Sequence, residues 1–164
     1  MRPERPKSVY LDACCYIDWA TGQYSGTSVE TWLRAARAEQ LQIYASTLLL
    51  AEARGGSRAE PNPAAERQIR NLLSEPYVTL VDVSRRVGLL ARDLIVDYPK
   101  VRNWDAVHMA SAVAARADVF LTRNVNDFTP GMVHRGVWVD EPYEFGGEGL
   151  FLLPGLGEGT EETA

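Results

Sequence analysis

Short apolar runs alternate along the chain with longer segments in which apolar residues recur at helical spacing. The short runs are rich in β-branched and aromatic residues and are typical of buried strands. They lie at about 8–12, 41–45, 77–83, 119–122 and 136–140. Between the first two runs, Val29, Trp32, Leu33 and Ala36 fall at positions i, i+3, i+4 and i+7, which predicts an amphipathic helix. The pattern therefore indicates strands that alternate with helices.

Residues that favour the start of a helix precede most of the predicted helical segments. Thr27 and Glu30 have the T-x-x-E spacing of a capping box. Asn62 is followed by Pro63, which suits the first turn of a helix. Further expected capping residues are Ser46, Ser84 and Asn103. The predicted order of elements is β-αα-β-αα-β-αα-β-β.

This order of elements predicts an α/β fold with three layers. Strands joined by helical crossovers form a parallel sheet, so we expect a mostly parallel central sheet of four to five strands with helices on both faces. A chain of 164 residues is long enough for one domain with its own core. We assign residues 1–145 to that domain and expect residues 146–164 to be an acidic, glycine-rich tail with a small apolar cluster, LFLLPGL.

Charge is unevenly distributed, and this bears on the kind of partner that the protein binds. The net charge is −5, but the residues from 140 onward include seven acidic side chains and no Lys or Arg. The first 139 residues hold 17 basic and 15 acidic side chains, a net charge of +2. A mildly basic body with an acidic tail leaves nucleic acid open as a partner, which the total charge alone would disfavour.

The apolar runs and the cysteines exclude several classes of protein. No run approaches the roughly 20 apolar residues that span a bilayer, so we expect no membrane partner. Residues 1–8 lack the apolar centre of a secretion signal, so we expect a cytoplasmic protein. Cys14 and Cys15 are adjacent and lack the spacing of a zinc or redox motif, so we interpret both as small packing residues.

Four acidic residues are expected at the carboxyl edge of the sheet, where open α/β sheets bind their ligands. They are Asp12, Glu52, Asp105 and Asp127. If the first and fourth strands are neighbours, these carboxylates converge on one pocket. Each like-charged pair about 4 Å apart costs about 4 kcal/mol at an effective dielectric constant near 20, so a proton or a cation must compensate. Carboxylate oxygens suit Mg²⁺ or Mn²⁺, which can polarise a phosphate and activate a water molecule.

Each acid also has an explanation that involves no catalysis. Asp105 suits the first turn of a helix, because the helix dipole favours an acid there. Glu52 can form an ion pair with Arg54 or Arg58, and Asp127 can take part in a turn. The evidence for a site is therefore the expected convergence of all four acids.

His108 and Asp18 lie near these acids, and we assign neither to the site. His108 follows Asp105 by one helical turn and can shuttle a proton, but we favour a partly buried helix histidine. Asp18 lies too far along the first helix.

Two other classes of protein that gather acids at strand ends fit this sequence less well. A receiver domain needs paired acids after the first strand, and a haloacid dehalogenase needs an Asp where Cys14 stands.

Four segments together resemble the PIN domain family, in particular the VapC-type toxin ribonucleases of toxin–antitoxin systems. The segments are the apolar strand that ends at Asp12, STLLLAE at 46–52, WDAVHMA at 104–110 and FLTRNVNDF at 120–128. The resemblance implies a PIN-like fold and a Mg²⁺- or Mn²⁺-dependent endoribonuclease that hydrolyses RNA phosphodiester bonds.

The same resemblance implies roles for the candidate site residues. Asp12 and Asp105 would be the principal metal ligands. Glu52 and Asp127 would complete the set of catalytic and metal-binding carboxylates. Supporting side chains that would orient a ligand or a water molecule are Ser46, Thr122 and Asn124.

This chain departs from the family pattern at two positions. Ala13 stands where many relatives have a small hydroxyl or amide residue directly after the first Asp. Asn124 stands where an Asp is frequent, although its amide would still offer a neutral oxygen ligand. Both departures favour an alternative, a PIN-like module that binds RNA or protein and does not cleave.

We expect single-stranded or loop RNA as the substrate, because a strand must lie open to enter an acidic cleft. Transfer RNA is one candidate. Arg123 lies beside the fourth acid and is the first candidate to bind a flanking phosphate. Further basic candidates are Arg54, Arg58, Arg85, Arg86, Lys100, Arg102 and Arg116. The resemblance also implies a homodimer and a cognate antitoxin protein that occupies the active site.

Overall fold

A computed structural model describes residues 1–54 and 60–146 of the chain. Within these residues, six strands lie in chain order: β1 Ser8–Leu11, β2 Gln42–Ser46, β3 Val78–Val81, β4 Val119–Leu121, β5 Val133–His134 and β6 Val137–Asp140. The helices are α1 Ala13–Thr21, α2 Gly26–Arg37, α3 Leu49–Glu52, α4 Pro63–Leu73, α5 Arg85–Asp97 and α6 Asn103–Ala115. The expected tail at 146–164 lies outside the described residues, except for its first residue.

The strands form one sheet in the order β3-β2-β1-β4-β6-β5. β1 lies at its centre and pairs in parallel with both β2 and β4, so Tyr10 lies opposite Tyr44 and Phe120. The first and fourth predicted strands are therefore neighbours. This arrangement brings the segments that follow β1 and β4 to the same edge of the sheet, as the site prediction required.

The sheet is mostly parallel, as predicted, but it has one strand more than expected. β5 is only two residues long and pairs antiparallel with β6. The connection is a two-residue turn in which Arg135 and Gly136 both have positive φ, 48° and 88°, as a type I′ hairpin turn requires. A two-residue strand has too few positions to show an alternating pattern, which is why the sequence did not reveal it.

Helices cover both faces of the sheet, so the three-layer prediction is confirmed. Val9, Leu11 and Ile43 point to one face and are buried under α1, α2 and α4. Tyr10 and Phe120 point to the other face and are buried under α5 and α6. Alternate residues of β1 thus enter two separate cores, which is the period of two expected of a strand.

Three of the predicted helix caps are wrong and two are confirmed. Ser46 does not cap α3, whose N-cap residue is Leu48 and which has no side-chain capping bond. α2 begins at Gly26 rather than at a capping box, and Glu30 accepts hydrogen bonds from the side chains of Trp19 and Arg37 instead. Asn103 lies inside α6 and makes no capping bond. The expected caps of α4 and α5 are present: the side chains of Asn62 and Ser84 accept bonds from the backbone of Ala65 and Val87.

No helix among the described residues is long and apolar enough to cross a membrane.

Candidate active site

Asp12 connects β1 to α1 and is buried, with 5% of its surface exposed. Its backbone N–H continues the pairing of β1 with β4 by donating to the carbonyl of Leu121 at 3.0 Å. Its carboxylate accepts the backbone N–H of Ala13 and the hydroxyl of Thr122, both at 2.7 Å. These donors fix the carboxylate at the start of α1 and satisfy part of its hydrogen-bonding capacity, which lowers the cost of burying it.

Asp105 and Asp127 are joined through the side chain of Asn124. The amide nitrogen of Asn124 donates to Asp105 Oδ2 at 3.0 Å and to Asp127 Oδ2 at 3.1 Å. The backbone N–H of Asn124 donates to Thr122 Oγ1 at 3.0 Å, which ties this loop to the residue that holds Asp12. Asn124 thus presents its amide nitrogen to the acids, whereas an amide oxygen was expected there.

Glu52 ends the short helix α3, and its side chain pairs with His108. Glu52 Oε2 lies 2.5 Å from His108 Nε2, and Tyr10 Oη lies 2.7 Å from His108 Nδ1. Because a carboxylate only accepts, Nε2 carries a proton, and in the neutral imidazole the hydroxyl of Tyr10 donates to Nδ1. The side chain of Arg54 donates to the backbone carbonyl of Ala51, and the alternative partner Arg58 lies outside the described residues.

His108 lines the pocket, although the sequence interpretation did not assign it to the site. It is almost fully buried, and its Nε2 lies 3.8 Å from Asp12 Oδ1 as well as next to Glu52. We expected only a partly buried helix histidine. The one signal in the sequence was its position three residues after Asp105, which places both side chains on one face of α6.

The polar side chains converge on a pocket of about 340 Å³ at the carboxyl edge of β1 and β4. Its lining residues are Asp12, Ala13, Cys14, Glu52, Asp105, His108, Arg123 and Asn124. Thr122 is buried and donates its hydroxyl hydrogen to the carboxylate of Asp12. Asp127 was expected to converge on the pocket with the other three acids, but it is not among the lining residues and accepts a hydrogen bond from Asn124, which is. Ser46, predicted as a supporting residue, is buried at the end of β2 and accepts from the backbone N–H of Leu48.

Burial and neighbouring charges shift the pKa values of two side chains in the pocket, Asp105 and His108. Burial raises the pKa of Asp105 to about 6, and the charge of Asp12 and the bond and charge of Asp127 act in the same direction. Burial lowers the pKa of His108, but the hydrogen bond that it donates to Glu52 and the nearby carboxylates outweigh this effect, so the net shift is upward. The neighbouring carboxylates contribute to both upward shifts, and this concentration of negative charge favours binding of a cation.

Arg123 lines the pocket, but its guanidinium is paired with Asp18. The two side chains make a two-point contact, with Nε at 2.5 Å and Nη2 at 3.0 Å from the carboxylate. Asp18 is 1% exposed and also accepts from the backbone and the hydroxyl of Ser25. Asp18 therefore positions Arg123. The two residues are 105 positions apart, so the sequence, which predicted Arg123 as the first candidate to bind a flanking phosphate, did not indicate this pairing.

The donor set fits a hard divalent cation. Carboxylate oxygens of Asp12 and Asp105 face the pocket, and Mg²⁺ is commonly bound by one or two carboxylates together with water. In residues 1–54 and 60–146, no group of three or more His, Cys, Asp or Glu side chains is assembled to hold a metal ion. The contacts explain this, since Glu52 is engaged by His108 and Asp127 by Asn124.

The fold and the pocket define an α/β protein with a cluster of acidic side chains at the carboxyl edge of its sheet. The model of the PIN domain family matches residues 9–128, a segment that contains all four predicted acids. The chain therefore belongs to the PIN domain family, as its sequence motifs predicted. A comparison with curated protein sequences found no significant match.

Several solved structures share this fold. A toxin–antitoxin complex from Klebsiella pneumoniae contains a chain that is 24% identical, with a TM-score of 0.60 over 83% of this chain and 98% of that one. VapBC2 from Rickettsia felis, bound to a promoter DNA fragment, is similar at 15% identity and a TM-score of 0.59, over 82% and 98% of the two chains. FitAcB from Neisseria gonorrhoeae is similar at 18% identity and a TM-score of 0.56, over 82% and 97%.

Proposed function

We propose that this PIN-domain protein is a Mg²⁺- or Mn²⁺-dependent endoribonuclease and the toxin of a toxin–antitoxin pair. The observation that carries the proposal is the convergence of Asp12, Glu52 and Asp105 on one pocket at the carboxyl edge of the sheet. Burial raises the pKa of Asp105, and the charges of Asp12 and Asp127 add to this shift, so negative charge in the pocket is unfavourable without a positive partner. A divalent cation would relieve that charge.

Asp12 and Asp105 would hold the cation, which supplies charge to bind a phosphate oxygen and to acidify a water molecule. The backbone of Ala13 and the hydroxyl of Thr122 keep the carboxylate of Asp12 oriented towards the pocket. Glu52, whose carboxylate accepts a hydrogen bond from His108, would accept a proton from the water that attacks the phosphodiester.

The basic side chains around the pocket are proposed to bind the phosphates that flank the cleaved bond. Arg85 and Arg86 begin α5 after β3, and Arg102 precedes α6, so these exposed residues lie towards the carboxyl edge. Arg116 is a weaker candidate, because it follows the last turn of α6, about 16 Å along the helix axis from Asp105. Single-stranded RNA is the proposed substrate, and transfer RNA is one candidate.

An antitoxin protein and a second copy of the chain are the proposed protein partners. The antitoxin is supported by the toxin–antitoxin complexes among the similar structures. The dimer is supported by three large apolar side chains that α5 leaves exposed, Leu89, Ile95 and Val96. Light scattering after size-exclusion chromatography of the wild type and a Leu89→Ser, Val96→Ser double variant tests the dimer. A monomeric wild type would exclude it.

Cleavage of a mixed pool of transfer RNA and unstructured RNA by the purified protein tests the ribonuclease. The reaction is run with Mg²⁺, Mn²⁺ or EDTA, and Asp12→Ala and Asp105→Asn are the matched controls. We expect metal-dependent cleavage by the wild type alone. Equal cleavage by the variants would indicate a contaminating nuclease. RNA binding without cleavage by any of the three proteins would favour the alternative, a module that binds without cutting.

A further inference from the structure

Tyr24 is a large aromatic side chain that lies exposed at the rim of the acidic pocket. It lies in the loop between α1 and α2, and 80% of its surface is exposed, the largest value of any aromatic residue in the described ranges. The guanidinium carbon of Arg123 lies 4.5 Å from the centre of its ring. Because Arg123 covers one face of the ring, the exposed surface belongs to its edges and its opposite face.

The loop that carries Tyr24 is held in place by backbone contacts. The N–H of Gln23 donates to the carbonyl of Asp18 at 3.0 Å, and the N–H of Gly26 donates to the carbonyl of Gln23 at 2.8 Å. A Cβ atom at Gly26 would lie 2.5 Å from the carbonyl oxygen of Asp18, so only glycine allows this approach. These backbone contacts therefore fix the position of the loop that carries Tyr24.

The backbone of Tyr24 is in a conformation that a bulky residue rarely adopts. Its φ is 44°, in the left-handed region that glycine and asparagine tolerate better. Burial of its side chain contributes little to stability that could offset this strain, since most of the side chain faces solvent. A strained and exposed aromatic residue is a pointer to function rather than to stability.

Arg123 provides a rigid support for the ring. Its planar guanidinium is fixed by the two-point contact with Asp18, which also compensates its charge. Arg123 belongs to the lining of the acidic pocket, and its contact with Tyr24 connects the ring to that lining. An arginine plane under an aromatic ring gives a flat surface whose outer face suits another flat group.

We propose that Tyr24 and Arg123 form a stacking platform for one nucleobase of single-stranded RNA, next to the phosphate in the acidic pocket. The proposal rests on the proposed ribonuclease function and adds a base-binding position to it. Stacking on an aromatic ring requires a base that is free of a duplex, and it tolerates all four bases because each has a π-face. The platform thus selects unpaired RNA without reading its sequence.

Binding of a fluorescent single-stranded RNA of 12 mixed-sequence nucleotides, measured with EDTA present, tests the platform separately from cleavage. Tyr24→Ala is expected to weaken binding roughly 5- to 100-fold, from the usual contribution of base–aromatic stacking. Tyr24→Trp restores the ring and is expected to restore the affinity. The control Tyr98→Ala removes another exposed tyrosine, which packs on His134 of β5 and not beside the pocket, and is expected to bind like the wild type.

A second series places one abasic nucleotide at each position of the same RNA in turn. One position is expected to weaken binding to the wild type, and the same position is expected to have no further effect on Tyr24→Ala. Additive losses at every position would overturn the platform, as would an unchanged affinity of a folded Tyr24→Ala. If that variant instead loses affinity only for a co-expressed antitoxin, the surface binds protein and the proposal is wrong. A wild type that binds but does not cleave refutes the proposed function while the platform still stands or falls on these measurements.

Discussion

Asp12 and Asp140 lie at the same edge of the sheet, one residue apart in register, but differ in how their charges are compensated. Each lies at the carboxyl end of a strand that pairs in parallel with β4, and both are buried, at 5% and 7% exposure. The carboxylate of Asp140 accepts from Arg2 at 2.7 and 2.8 Å, and also from Trp138 and the backbone of Glu141. Asp12 has no Lys or Arg partner in the part of the chain that the structure describes.

The comparison shows that a strand end is not by itself a functional site. Arg2 compensates Asp140, so this acid ties the N-terminal segment to the sheet and leaves no charge for a ligand. Asp12 faces His108 and shares its pocket with other acids, so its charge remains available to a cation. Whether such an acid is available to a cation therefore depends on whether a distant part of the chain pairs an arginine with it.

The largest expected difference between the two acids is in catalysis. Asp12→Asn is expected to reduce the rate of RNA cleavage about 1,000-fold, because it removes a proposed ligand of the catalytic cation. Asp140→Asn, whose residue lies outside the pocket, is expected to cleave like the wild type. Initial rates on the same RNA check this. A comparable loss in both variants would mean that the two strand ends do not differ in function.

Metal binding is expected to separate the two acids in the same way. At a Mn²⁺ concentration 100 times the dissociation constant, the wild type is expected to gain about 2.7 kcal/mol of stability. Asp140→Asn should keep this gain and Asp12→Asn should lose most of it. Thermal unfolding with and without Mn²⁺ measures both. Equal stabilisation of Asp12→Asn would place the ion elsewhere.

Among the acids with an arginine partner, the more deeply buried one is expected to matter more for stability. Asp18→Ala removes the partner of Arg123 and two bonds from Ser25, and is expected to cost about 2 kcal/mol of unfolding free energy. Asp140→Ala removes a pair with the half-exposed Arg2 and is expected to cost about 1 kcal/mol. Urea denaturation measures both losses, and a larger loss for Asp140→Ala would reverse the comparison.

The smallest expected effect is the dependence of stability on pH that Asp105 causes when no metal is bound. Because the pKa of Asp105 is raised from 3.8 to about 6, the folded protein binds this proton more tightly than the unfolded chain. Without metal, the folded state therefore loses stability as pH rises from about 4 to 6, and the penalty remains above that range. Asp105→Asn is expected to be more stable than the wild type at pH 8 by about 1 kcal/mol, a value reduced for partial exposure.

Urea denaturation in EDTA at pH 8 and pH 4 tests this pH dependence. The advantage of Asp105→Asn should shrink towards pH 4, where the wild-type carboxyl is also neutral in the folded state. The side chain of Asn124 can donate to an amide oxygen as well as to a carboxylate, so the variant keeps that contact. An advantage of equal size at both pH values would point to a cause other than charge.

Much of the fold was predictable because it depends on local patterns. Apolar runs and helical spacing predicted the strands β1 to β4 and β6, and the alternation of strands and helices predicted the parallel sheet. The capping box at Thr27 failed for a non-local reason. Glu30, its expected partner, is taken by Trp19 and Arg37, and the nearby hydroxyl of Ser25 is taken by Asp18.

The acids of the site were predictable from the sequence, whereas their partners were not. Asp12 stood out because a carboxylate follows a buried strand, and the others because their segments were expected at the same edge of the sheet. The pairing of Arg123 with Asp18 spans 105 residues, and that of His108 with Glu52 spans 56. Such contacts depend on the relative placement of α1, α3 and α6 around the sheet, which a single sequence does not encode in any local pattern.

The short strand β5 also bears on the solubility of the protein. A long, exposed edge strand is a template on which other chains can add strands and aggregate. Here the segment at 131–134 runs along β6, and β5 ends the sheet with only two paired residues. The following turn bends the chain back at once, and Arg135 in that turn is paired with Asp93 of α5. This edge of the sheet therefore offers little backbone to a passing chain.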